Sequence, residues 1–61
     1  MRYQYAKRLH NGDEVRIKST GEICTVISTQ EFTDAAGKPA VQIYTVTREN
    51  GYCGLHHQEI Q

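Results

Sequence analysis

Apolar and polar residues alternate along most of this chain, and the alternation breaks wherever turn formers cluster. Val15 and Ile17 are spaced by Arg16 and followed by Lys18, a period of two that predicts a strand over about Glu14 to Lys18 with its aliphatic side chains inward. Ser19, Thr20 and Gly21 turn the chain, and a β-branched run follows from Ile23 to Phe32. Two such runs across a short Ser/Thr/Gly connection are a hairpin signal. The second run starts with apolar residues on both faces, Cys24 and Val26 on one, Ile23 and Ile27 on the other, and later keeps only Phe32. A strand that is two-sided first and polar afterwards suits a strongly bent strand serving both halves of a barrel.

Thr33 to Pro39 is a loop, with Asp34, Gly37 and Pro39 as turn formers. Ala40 to Thr47 has the strongest β-propensity in the chain; Tyr44 and Val46 share one face, Val41 and Ile43 the other. Asn50-Gly51 is a hairpin cue, which leads to a fourth strand over Tyr52 to Leu55. His56-His57-Gln58 predicts a tight turn, as one turn of 3-10 helix, before a last strand over Glu59 to Gln61. The first ten residues admit two readings: an edge strand or loose extended arm, or a short helical turn that groups Ala6, Leu9 and His10. The expected fold class is all-β, a small barrel of about five short antiparallel strands over residues 11–61, with 1–10 as an N-terminal arm or edge strand. Its expected core is Val15, Ile17, Cys24, Val26, Tyr44, Val46, Leu55 and Ile60.

With these elements in place the residues resemble the SH3-like barrels, especially the KOW- and Tudor-like modules. Gly12-Asp13-x-Val15 resembles their opening, the long bent strand follows a Gly-containing turn, and Asn50-Gly51-x-x-x-Leu55 with Glu59-Ile60 resembles their close. The chain is also similar to small proteins of unknown function from bacteria and mobile elements that consist of this barrel alone. The resemblance implies a binding module.

Composition narrows the function. Sixty-one residues allow one domain whose core, unaided, supplies about 3–5 kcal/mol and leaves little room for a deep pocket. Seven basic and seven acidic side chains cancel, so the general attraction to polyanions that a basic excess provides is missing. The balance is uneven: residues 1–10 contain Arg2, Lys7 and Arg8 and no acid, so the remainder carries the compensating negative charge. No apolar stretch is long enough for a membrane span and the N-terminus lacks a signal-peptide core, so a cytoplasmic setting with Cys24 and Cys53 reduced is expected.

Two binding surfaces compete. Arg2, Tyr3, Tyr5, Lys7 and Arg8, extended by Arg16 and Lys18 on the first strand, mix rings that stack on bases with cations that meet phosphates, which suits single-stranded RNA or DNA. Ile23, Ile27, Val41 and Ile43 form a second apolar face that suits a protein partner or another copy of the chain. Phe32, Tyr44 and Tyr52 are the rings available for an aromatic cage, which the Tudor-like resemblance implies. Cys53, His56 and His57, with Cys24 and His10, are zinc-ligand residue types, but there is no CxxC and the ordinary reading is small core cysteines and histidines in an exposed turn. Cys53 and His56 lack an oxyanion loop for nucleophilic catalysis. Gly12-Asp13-x-Val15-Arg16-x-Lys18-Ser19 and Val41-Gln42-Ile43-Tyr44 also resemble segments of the type II dihydrofolate reductases, tetramers of SH3-like barrels around one pore. That resemblance implies Gln42, Ile43 and Tyr44 as pore residues and Lys18 as a charge contact. In that family the segment lies close to the C-terminus, whereas 17 residues follow Tyr44 here. The expectation is therefore a non-enzymatic module with no catalytic residue, metal or cofactor and no membrane contact. Its partner is a protein or itself, and nucleic acid is the alternative.

Overall fold

The computed structural model describes residues 1–49 and 51–61. A helical turn, α1 (Tyr3–Ala6), precedes four strands: β1 (Glu14–Arg16), β2 (Ile23–Thr33), β3 (Pro39–Thr47) and β4 (Gly51–His56). A 3-10 turn, His57–Glu59, follows. The strands make one antiparallel sheet in the order β1-β2-β3-β4, curled into a half-barrel. Among the described residues no helix is long and apolar enough to cross a membrane. The hairpin cue at Asn50 lies outside the described residues, while Gly51 has the positive φ of 66° that its glycine makes available.

The fifth strand is the first departure from expectation. Only one bridge forms there, Ile17 to Ile60. Lys18 N–H donates to Glu59 O and Gln61 N–H to Arg16 O, each at 2.9 Å. The cause is local: His56 caps the 3-10 turn, its Nδ1 accepting from Gln58 N–H (3.0 Å) while its own N–H donates to the Glu59 carboxylate (2.7 Å). The turn therefore consumes Glu59 and leaves a single residue to pair. Ile60 is fully buried, so the bridge seats a core side chain beside β1.

Of the two readings of residues 1–10, the helical turn is the one that forms. A helical spacing of three puts Tyr3 and Ala6 on one face, and there Ala6 is fully buried while Met1, Tyr3 and Leu9 pack partly against the core. The Met1 nitrogen donates to His57 O (3.1 Å) and to Ile60 O, so the segment is tied to the 3-10 turn and its exit.

The core consists of Ala6, Val15, Cys24, Val26, Val41, Ile43, Leu55 and Ile60. Tyr44 and Val46, expected inside, face outward; Tyr44 is 39 % exposed, while Val41 and Ile43 are fully buried. The reason is a β-bulge. The β2–β3 register is Thr25↔Val46 and Val26↔Thr45 before it, then Ser28↔Tyr44, Thr29↔Ile43 and Gln30↔Gln42, with the shift between Val26 and Ser28. One extra residue, Ile27, reverses which face of β2 looks inward. An unbroken alternation from Cys24 to Phe32, paired as the far half of the hairpin is, would have put Tyr44 inside. With the bulge, Val26 pairs with Thr45, and the odd-numbered residues of β3 fill the core.

Candidate functional site

Partners across a sheet share a face, so the register names the outer surface. On β2 it is Ile23, Thr25, Ser28, Gln30 and Phe32; on β3, Gln42, Tyr44 and Val46, with Ala40 on the same side but fully covered; on β4, Tyr52, Gly54 and His56. None of these is Lys, Arg, Asp or Glu. The charges nearest in the sheet are Glu14 and Arg16, which share this face on β1 through their pairing with Thr25 and Ile23. The large apolar side chains most exposed on it are Ile23 (51 %), Phe32 (38 %), Tyr44 (39 %) and Tyr52 (83 %).

A shallow recess of about 250 Å³ sits on this face, lined by Gln30, Phe32, Gln42 and Tyr44. Its walls are held in place: the Tyr44 hydroxyl donates to Gln30 Oε1 (3.2 Å), and the Phe32 ring meets His56 edge-on at 5.9 Å. A Cβ at Gly54 would lie 2.5 Å from Gln42 Nε2, so the absent side chain lets the Gln42 amide lie across β4. Two amides and two aromatic rings give a surface with donors, acceptors and apolar area and no fixed charge. A second recess of about 580 Å³, lined by Glu14, Ile23, Thr25, Val46, Thr47 and Arg48, lies where the outer face meets charge.

Behind the sheet, His57 is buried, and its Nδ1 accepts the Val41 N–H at 3.2 Å. Burial, then the neighbouring His56, stacked at 4.4 Å between ring centres, hold its pKa below the ordinary histidine value. The ring is therefore the neutral acceptor this bond requires. Burial pushes the Cys24 thiol above its ordinary value, the charge of Glu22 adding to it; such a thiol is a poor nucleophile.

The sequence-derived candidates are dispersed. Ile23 is exposed on the outer face and Ile27 half-buried at the bulge, but Val41 and Ile43 lie in the core, so these four do not make one surface. Arg2, Lys7 and Arg8 are exposed, and Tyr5 is 60 % exposed. Tyr3 is engaged: its hydroxyl donates to the Glu31 carboxylate, which raises the phenol pKa, its ring meets His57 edge-on at 6.2 Å, and Lys7 Nζ stands 5.3 Å from the ring centre. Arg16 donates to Gly21 O at 3.1 Å, and Lys18 is exposed. Cys24 is buried as expected, but His57 and Cys53 reverse their expected places, His57 buried and Cys53 exposed. Among the described residues no three His, Cys, Asp or Glu side chains group as a metal site. Of the residues implied by the reductase resemblance, Gln42 and Tyr44 share the outer recess while Ile43 is core.

Of the recess residues, Gln30 is the one the sequence did not single out; Gln42 entered only through the reductase resemblance, and the neighbouring His56 only as a zinc-ligand residue type. The signal that would have joined Gln30 to Gln42 is their pairing across the hairpin, counted outward from the turn that Asp34 and Lys38 close. No protein family, curated protein or solved structure matches this chain.

Proposed function

We infer that this chain is a non-enzymatic interaction module of the SH3-like barrel type, and that a protein surface docks on the outer face of β2, β3 and β4. The observation that carries this reading is an outer face without a formal charge but with Phe32, Tyr44 and Tyr52 exposed. Interface centres are depleted of charge and enriched in aromatic side chains, while a polar rim surrounds them; here Glu14, Arg16 and Arg48 supply such a rim. A standard interface needs about 800 Å² per partner, roughly a fifth of the 4315 Å² this chain exposes, so the whole outer face would be used. The four-strand meander and the Ile17–Ile60 bridge that brings the chain's end back to β1 support the barrel reading.

The test compares wild type with Phe32→Asp/Tyr44→Asp, a substitution at exposed positions. After crosslinking in cells, the complexes formed by wild type are lost in the double variant, and far-UV circular dichroism is unchanged. Identical complexes from both proteins would overturn the reading.

One observation favours a second reading. Arg2, Lys7 and Arg8 project from α1 and its exit with Tyr5 exposed beside them, and this cluster has the composition of a single-strand-binding arm. Nucleic-acid binding there would weaken steeply with salt and be lost in Arg2→Ala/Lys7→Ala/Arg8→Ala. Deleting the segment is the wrong test, because Ala6 is part of the core.

A further inference from the structure

The half-barrel leaves one sheet edge unlike the others. The edge of β1 is occupied by the residues around Ile60, and the free far half of β2 carries the bulge and Glu31. Bulges, charges and cover are the usual means of keeping sheet edges apart. From Gly51 to Leu55, β4 has none of these; the Glu59 carboxylate covers the edge at His56 alone. Gly51 to His56 contains no Lys, Arg, Asp, Glu or Pro, and among the described residues it pairs with β3 and no other strand.

The hydrogen-bonding phase of this edge follows from bonds elsewhere. In an antiparallel pair, residues alternate between pointing both main-chain groups at the partner and pointing both away. Asp34 N–H donates to Lys38 O, so the even-numbered residues of β3 face β2. Val41 N–H points the other way, to His57, and His56 N–H is turned to Glu59. In β4, Cys53 and Leu55 therefore bond to β3, while Tyr52 and Gly54 present their N–H and C=O groups to the open edge. Among the described residues, those groups meet only a weak thiol contact, Cys53 Sγ at 3.8 Å from Gly54 O.

We propose that β4 pairs antiparallel with β4 of a second copy about a two-fold axis at Cys53, joining two half-barrels into one eight-stranded sheet. This goes beyond the docking reading: it uses the edge of β4 rather than the outer face, and its partner is a second copy of this chain. Only a register that matches like faces keeps both outer surfaces on one side, and centring it on Cys53 places Tyr52 opposite Gly54 twice. All four free main-chain groups of each copy are then bonded, and His56 N–H keeps its bond to Glu59. The side chains agree with this register. Tyr52, 83 % exposed in one copy, lies opposite Gly54 of the other, against the Gln42 amide and the Tyr44 ring that flank that glycine, an aromatic–glycine pairing of the kind that stabilises edge glycines. A neutral strand in a chain of zero net charge meets its own copy without repulsion. The two Cys53 residues face each other in a non-hydrogen-bonded pair, where Cα atoms stand about 4.5 Å apart, within the range a disulfide spans.

Sedimentation velocity from about 10 μM to about 1 mM spans the range where so small an interface associates. Diamide is added in parallel: two thiols lose their protons and two electrons to its N=N bond, giving a disulfide and a hydrazine. The expected result is a reversible dimer and a Cys53–Cys53 covalent dimer, formed at least tenfold more slowly by Tyr52→Lys, which keeps the wild-type circular dichroism. Cys53→Ser retains the reversible dimer and gives no covalent one. A chain that stays monomeric throughout overturns the proposal, as does a dimer indifferent to Tyr52→Lys with no Cys53 disulfide. Either result leaves the docking face intact if complexes in cells still depend on Phe32 and Tyr44; loss of that dependence alone would overturn the docking face and leave this dimer standing.

Discussion

Adjacent residues of β3 carry opposite duties, and their substitutions separate accordingly. Ile43 is fully buried between Thr29 of β2 and Leu55 of β4, so Ile43→Ala is expected to cost about 2–5 kcal/mol and, in so small a domain, to abolish the cooperative urea transition. Tyr44→Ala at the next position removes an exposed ring and one exposed hydrogen bond, and its unfolding free energy from the urea transition is expected to fall by less than about 1 kcal/mol. Gly54→Ala belongs with Tyr44: the atom a Cβ would meet is the mobile end of Gln42, so stability holds while the recess is rebuilt, visible as shifts in the Gln42 side-chain amide resonances. His57 supplies the pH dependence. Its folded pKa is lowered by burial first, so the unfolded chain takes up the proton at higher pH, near its ordinary value of about 6.5. The stabilisation by the neutral ring is complete above that pH and is lost as pH falls through the lower folded value. The melting temperature is therefore expected to drop between pH 7.5 and 5.5, and the drop to flatten in His57→Asn.

At the scale of elements, what could be read from the chain was the existence of the strands, not the phase between them. Val15, Cys24 and Val26 announce two strands and their inner faces, and Ile60 and Leu55 announce themselves as core. The bulge at Ile27 does not announce itself, because a β-branched residue in a β-branched run looks like one more step of the alternation. That single insertion exchanged Tyr44 and Val46 for Val41, Ile43 and Thr45 inside, and so turned two of the four expected docking residues, Val41 and Ile43, into core. Thr45 is tolerated there because its hydroxyl donates to Cys53 O at 3.0 Å. The last strand was lost for a similar local reason, since the cap made by His56 and Glu59 is a contact between side chain and main chain that no periodicity carries. The N-terminal turn is structural as well: Ala6→Asp, which buries an unpaired charge, is expected to unfold the protein at 25 °C by circular dichroism.

Over the whole molecule, charge and apolar area are segregated. Cations gather at α1, and the outer face of three strands carries none. A chain this small gains little from its core alone, and a surface of this kind gives it a way to add buried area by association. The most direct test is an amide NMR spectrum of the labelled protein recorded across a concentration series and then with short mixed-sequence single-stranded RNA at low salt. Concentration-dependent shifts centred on Tyr44 and Tyr52–His56 are expected, with no change there on adding RNA. Shifts confined to Arg2–Arg8 and β1 on adding RNA and reversed by salt, with the outer face unmoved at every concentration, would contradict association through the outer face and β4.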